Sequence, residues 1–247
     1  MTEGRDWRGR RYWLVGASEG LGAALARTMS RSGCELVLSA RSGDALDALA
    51  GALPGRARAV PCDVTDMASL GRAAGEAGNV DGLVYLAGTY APMRAQDWDT
   101  ASVERMIDTN LCGCVRAVGA VLPGMIRRGA GHLVLTSSLT AYRGLPGAVG
   151  YGASKAGVLN LAQGLRADLR GSGVSVQAVC PGFIRTRLTE KNDFRMPQIM
   201  TPEAAAQRML EAMQTDRAVT SFPAPFSWLF RAGRLMPTWA WNRLMSH

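Results

Sequence analysis

The sequence predicts an α/β protein built as one doubly wound parallel sheet with helices on both faces. Two observations carry that reading. Short apolar runs of strand length alternate with stretches whose apolar residues recur at helical spacing, as parallel strands joined by crossover helices require. No repeat, low-complexity linker or shift in composition interrupts the 247 residues, so a single unit is the simplest organisation.

In order, RRYWLVGAS reads as the first strand, ending in glycine. Leu21, Leu25, Thr28 and Met29 follow at helical spacing, with Gly33 at the helix end. CELVLSA is the second strand, and Asp44 is expected to cap a helix carrying Leu46 and Leu49. ARAVPCD is the third strand, Asp66 starts the next helix, and VDGLVYLAG is the fourth strand. A long helix then places Val103, Ile107, Asn110, Leu111, Cys114, Val118, Leu122 and Met125 along one face. GHLVLTSS and GVSVQAVCPG are the fifth and sixth strands, separated by a helix that holds Tyr151 and Lys155. The domain is expected over residues 11–221, after a flexible stretch at 1–10 and before an apolar, basic tail at 222–247.

Composition narrows the classes. Hydrophobic residues make up 47% of the chain, enough for a substantial core. The charged start MTEGRDWRGRR is unlike a secretory signal. No uninterrupted apolar run reaches the roughly 18 residues of a membrane span, so a cytoplasmic location is expected. Five scattered cysteines read as reduced packing residues. Cys112 and Cys114 would face different directions on a helix; with only His132 and His247 besides, no metal site is expected. A net charge of +8 favours anionic partners. Nucleic acid is disfavoured, because no basic patch interleaved with aromatics is found.

Chemistry-bearing residues gather at the predicted strand ends. VGASEGLG places Gly16, Gly20 and Gly22 where the first strand turns into the first helix. Such a turn lets a pyrophosphate approach the backbone and the helix N-terminus. At the end of the second strand, LSARSG offers Arg41 and no carboxylate before Asp44, which favours the 2′-phosphate of NADP(H) over NAD(H). Tyr151 and Lys155, four residues apart, would emerge from one helix face. Alone, that pair is common on solvated helices.

Together the ordered motifs resemble the short-chain dehydrogenase/reductase family, from about Tyr12 to Thr220. The resemblance implies a Rossmann-type fold and an NADP(H)-dependent oxidoreductase that interconverts a carbonyl and an alcohol; the apolar residues Met196, Ile199 and Met200 suggest a hydrophobic substrate, while the arginines near them could meet a carboxylate. Its catalytic positions fall on Asn110, Ser138, Tyr151 and Lys155. Its cofactor positions fall on Gly16, Ser18, Glu19, Gly20, Leu21 and Gly22 in the turn, and on Arg41, Asp63 and Val64 at the adenosine end. Ala87, Gly88, Tyr151, Lys155, Pro181, Gly182, Ile184 and Thr186 complete the set toward the nicotinamide. Two positions depart from the family pattern: Val15 stands for its threonine and Leu86 for its asparagine. The other reading is a catalytically silent NADP(H)-binding regulator or scaffold. By resemblance, tyrosine and lysine serve proton transfer, the lysine ammonium favouring the phenolate.

The resemblance further implies a homodimer or homotetramer pairing the long helices, where Gly113, Ala117 and Ala120 would allow close packing. RTRLTEKNDFRMPQIM is expected to form a lid mixing Arg185, Arg187, Lys191 and Arg195 with Met196, Ile199 and Met200. The tail carries Trp228, Trp239 and Trp241 with Arg231, Arg234 and Arg243 and no acidic residue. Packing over the substrate cleft or against a second subunit is favoured there over peripheral contact with an anionic membrane, because Pro223, Pro225 and Pro237 break the segment into short pieces.

Overall fold

The strands are β1 (Arg11–Val15), β2 (Glu35–Ser39), β3 (Ala57–Ala59), β4 (Gly82–Tyr85), β5 (Gly131–Thr136), β6 (Val174–Pro181) and β7 (Val219–Phe222). The computed structural model describes residues 5–192 and 196–245. Among these the seven strands form one parallel sheet in the order β3-β2-β1-β4-β5-β6-β7. The chain winds outward from β1 to β3, then returns to β4, so a crevice opens at the carboxyl ends of β1 and β4.

The helices are α1 (Gly20–Arg31), α2 (Gly43–Gly51), α3 (Met67–Ala77), α4 (Thr100–Ile107), α5 (Gly113–Arg128), α6 (Val149–Asp168), α7 (Pro202–Met213), α8 (Phe226–Gly233) and α9 (Thr238–Met245). Strand residues alternate between two cores, as the period of two demands. Tyr12 and Leu14 of β1 join α1, α2 and α7 on one face. Trp13 and Val15 join α3, α5 and α6 on the other, together with Phe230 and Trp241 of the tail helices.

Three expectations are corrected. The sheet has a seventh strand, whose sequence VTSF is too short and too polar to read as an apolar run; β6 recruits it by backbone pairing from Ala178 with Val219 to Pro181 with Phe222. Ser42, not Asp44, caps α2, accepting from Ala45 N, which leaves Asp44 in the first turn. Gly113 and Ala117 are buried against the sheet rather than free for a subunit contact. A Cβ on Gly113 would lie 2.4 Å from the Tyr85 hydroxyl. Ala120 is exposed, and the large apolar residues that α5 turns outward are Val115 and Ile126.

Thr100–Arg128 is one continuous helix, long and apolar enough by length and composition to cross a membrane. One side of it packs into the core, with Met106, Asn110, Cys114 and Met125 buried. Within the stretch expected to be flexible, Trp7 is 4% exposed and packs edge-on to Tyr12 at 5.4 Å. Residues 1–4 lie outside the described residues. The five cysteines are free thiols, four of them buried.

A polar network crosses the sheet away from the crevice. Gln177 Nε2 donates to the carbonyls of Ala212, Thr215 and Arg217, so its Oε1 must accept from His132 Nε2 at 2.8 Å. His132 Nδ1 then accepts from the Tyr12 hydroxyl at 2.9 Å. Burial lowers the imidazole from 6.5 to about 3. Between those values the unfolded chain binds the extra proton, so the network's contribution is complete above 6.5 and is lost as pH falls. Stability is expected to drop by up to about 1.4 kcal/mol per pH unit from this group. Urea unfolding at pH 7 and pH 5 checks it; equal midpoints would contradict the assignment.

Candidate active site

At the end of β1 the chain turns into α1 through Gly16, whose φ of +97° favours glycine. A Cβ there would lie 2.4 Å from Ala87 N, because Val15 O accepts from both Leu86 N and Ala87 N at 2.8 Å. Val15 and Leu86, the two departures from the family pattern, thus meet through backbone bonds that any residue could make. No side chain caps α1 at Glu19, which leaves the N–H groups of its first turn for a ligand.

These turns border a cleft of about 1210 Å³. Arg41, Asp63 and Val64 line one end of it, and the glycine turn, Ala87 and Gly88 line its middle. Ser138, Tyr151, Lys155, Pro181, Gly182, Ile184 and Thr186 complete the wall. Every expected cofactor position therefore faces one cavity of dinucleotide size. Thr136 Oγ1, on the same wall, is buried without a hydrogen-bond partner among the described residues. The open helix end, the glycine cradle and this orphaned hydroxyl fit a dinucleotide. No group of three or more metal-ligating side chains occurs among the described residues.

The Asp63 carboxylate accepts from Thr65 N at 2.9 Å and Thr65 Oγ1 at 2.7 Å. The Thr65 backbone bond, helped by the side-chain bond and by the charge of Arg41, holds it below the usual carboxylate range against the cost of burial. Glu19 lines the cleft too, and its side chain is ion-paired to Arg187 across the mouth. Of the lid residues, Arg185, Arg187 and Lys191 also line the cleft, while Arg195 lies outside the described residues.

At the reactive end, α6 presents Tyr151 and Lys155 from one face. Lys155 Nζ donates to Thr136 O at 2.9 Å and lies 5.8 Å from the centre of the Tyr151 ring. Ser137 Oγ donates to Lys155 O at 2.7 Å and pins that turn to the end of β5. Burial pushes the Tyr151 phenol up to about 12, opposed by the nearby Ser138 hydroxyl. Burial also lowers the Lys155 ammonium to about 8. Desolvation thus outweighs the effect expected of the neighbouring ammonium, and the phenol keeps its proton at neutral pH.

Asn110 is the one expected residue that does not line the cleft. It stands behind Gly88, fully buried, in a π-helical segment Asp108–Cys112 between α4 and α5. Its Nδ2 donates to Thr89 O at 3.0 Å and Ser154 Oγ at 2.9 Å, and its Oδ1 accepts from Thr89 N at 2.7 Å. Ser154 Oγ donates in turn to Tyr151 O at 2.7 Å. The widened turn frees Thr109 O, which accepts from the Tyr85 hydroxyl.

Sequence reasoning missed Ser154, Ser137 and Tyr90. The Tyr90 ring meets Tyr151 edge-on at 5.0 Å, its hydroxyl donates to Asn192 Oδ1 at 2.9 Å, and its carbonyl accepts from Lys191 Nζ at 2.8 Å. Ser154 had a signal, being the hydroxyl directly before Lys155. Tyr90 had none, since only the folded loop brings it to Tyr151.

Residues 12–196 match the family described as short chain dehydrogenase. An uncharacterized oxidoreductase of Myxococcus xanthus is 37% identical over 231 residues, covering 91% of each chain. Oxidoreductase UcpA of Salmonella typhimurium is 35% identical over 217 residues, covering 85% of this chain and 82% of its own. A solved short-chain dehydrogenase from Streptomyces avermitilis superposes with a TM-score of 0.84 at 27% identity, covering 96% of both chains. With its parallel sheet, glycine turn and Tyr151–Lys155 pair at the crevice, this chain belongs to the short-chain dehydrogenase/reductase family, the NAD(P)(H)-dependent oxidoreductases of carbonyl and alcohol groups.

Proposed function

We propose an NADP(H)-dependent oxidoreductase that interconverts a hydrophobic ketone or aldehyde with its alcohol. The observation that carries this reading is the half-buried Tyr151 phenol, on one cleft wall with Ser138 and beside Lys155, in a cleft that Arg41 also lines. A bound nicotinamide supplies or accepts the hydride. In the reducing direction Tyr151 donates its proton to the carbonyl oxygen as the carbon gains the hydride. Ser138 Oγ orients that oxygen, and Lys155 holds the nicotinamide ribose. Asn110 acts as a positioning residue, tying the Thr89 backbone and, through Ser154, the Tyr151 turn.

At the adenosine end Asp63 receives the adenine and Arg41 the 2′-phosphate. Arg41 is exposed on the cleft wall, and no carboxylate stands at its position to accept from a free 2′-hydroxyl. Leu86, Ile184 and Leu188 give the wall an apolar share that suits a hydrophobic substrate. The outward Val115 and Ile126 of α5 suit helix pairing in a homodimer or homotetramer.

Comparing NADPH and NADH across a panel of ketones and aldehydes tests this reading. Arg41→Ala is expected to weaken NADPH by about ten- to a hundredfold, as loss of a charge-assisted contact does, and to leave NADH nearly unchanged. Equal losses would refute the phosphate role. Cofactor binding without turnover of any substrate would favour the silent scaffold.

A further inference from the structure

We propose that the outer face of α8 and α9 docks on an anionic lipid surface. Packing and exposure divide these helices cleanly. Their inner face belongs to the domain: Trp241 is 1% exposed, and its Nε1 donates to Gly144 O at 2.8 Å. A Cβ on Gly233 would lie 2.4 Å from the Trp241 ring. Arg143 donates to Gly233 O at 2.7 Å and Met236 O at 2.6 Å, closing the end of α8.

The outer face is left open and apolar. Trp228 is 61% exposed, Leu235 is 89% exposed and Trp239 is 72% exposed. Trp228 and Ala232 stand one turn apart on α8, and Leu235 follows two residues beyond its end. Pro225 and Pro237 immediately precede α8 and α9. They divide the segment into two short amphipathic helices rather than abolishing the apolar face.

Charge selects the occupant. Arg231, three residues after Trp228 and four before Leu235, is exposed, as are Arg234 and Arg243. Neither the tail nor Leu139–Gly144, the segment beneath it, contains an aspartate or glutamate. A basic face bearing exposed tryptophan and leucine complements anionic headgroups over an acyl layer. Set against a second copy through a two-fold axis, the same face would oppose arginines to arginines. The platform also adjoins the reactive end of the fold, since Phe226 contacts Phe183 at 5.8 Å and Gly182 packs between Leu139 and Phe226. Docking does not depend on the catalytic reading.

The test is flotation of the full-length protein with vesicles at low salt. It is expected to float with vesicles of phosphatidylcholine and phosphatidylglycerol in equal parts, and not with phosphatidylcholine alone. Added salt is expected to release it. Combining Trp228→Ser, Leu235→Ser and Trp239→Ser is expected to cut the bound fraction at least about tenfold, and Arg231→Glu to weaken it as well. Should the triple variant melt lower than the parent, Leu235→Ser alone carries the test. The proposal is overturned by no flotation with anionic vesicles, or by undiminished binding of the variants. It is also overturned if light scattering shows a lipid-free parent that self-associates through this face, the triple variant does not, and vesicles capture neither.

Discussion

Tyr151→Phe is expected to lower turnover by about 10²–10⁴-fold, the usual contribution of a positioned proton donor, with cofactor affinity nearly unchanged. The ring would keep its edge-on packing against Tyr90, so the change removes a proton and little else. Burial holds the phenol near 12 in the free protein. The proton needed for carbonyl reduction is therefore present throughout the neutral range, and the reductive rate should stay flat there. Alcohol oxidation needs the deprotonated form and should rise with pH. Steady-state rates in both directions, with cofactor binding followed by fluorescence, check all three statements. Near-normal turnover by the variant would sink the assignment of Tyr151.

Lys155→Met is expected to cost at least about 10²-fold in rate, as removal of one aimed electrostatic donor does, and to weaken the cofactor, without lowering the melting temperature substantially. Methionine fills a similar volume and carries no charge to desolvate. The sign follows from burial: the folded value of about 8 lies below the ordinary 10.5. Burying the ammonium therefore costs stability below pH 8, and that cost disappears as pH rises from 8 to 10.5. Losing the bond to Thr136 O offsets part of the gain. Cofactor affinity in the parent should fall as pH rises through about 8. A variant that melts much lower yet binds cofactor normally would assign Lys155 a structural role instead.

Much of the site was legible because its residues lie at strand ends that local patterns mark. Glycine spacing after an apolar run identifies the turn at Gly16, Gly20 and Gly22, since only that backbone lets β1 and β4 approach at Ala87. Tyr151 and Lys155 share a helix face by spacing alone. Ser42 took the cap from Asp44 because α2 begins two residues earlier than an Asp44 cap would set it, a local ambiguity. β7 escaped notice because VTSF has no apolar run, and pairing with β6 makes it a strand.

The sequence by itself determined the parallel architecture, the glycine turn and the chemistry available at the crevice, because period-two and helical patterns and local turn chemistry are written in neighbouring residues. Only the tertiary structure decided how that chemistry is tuned. Burial, which depends on everything packed around a group, raised Tyr151 and lowered Lys155 against the simple pairwise expectation. It brought Tyr90 to the phenol across a loop and placed Asn110 behind the cleft on a π-helical turn. It also split the tail into a packed face around Trp241 and an open one around Trp228, Leu235 and Trp239. A linear pattern can show that a segment is amphipathic; which side finds a partner depends on the surface the rest of the chain presents.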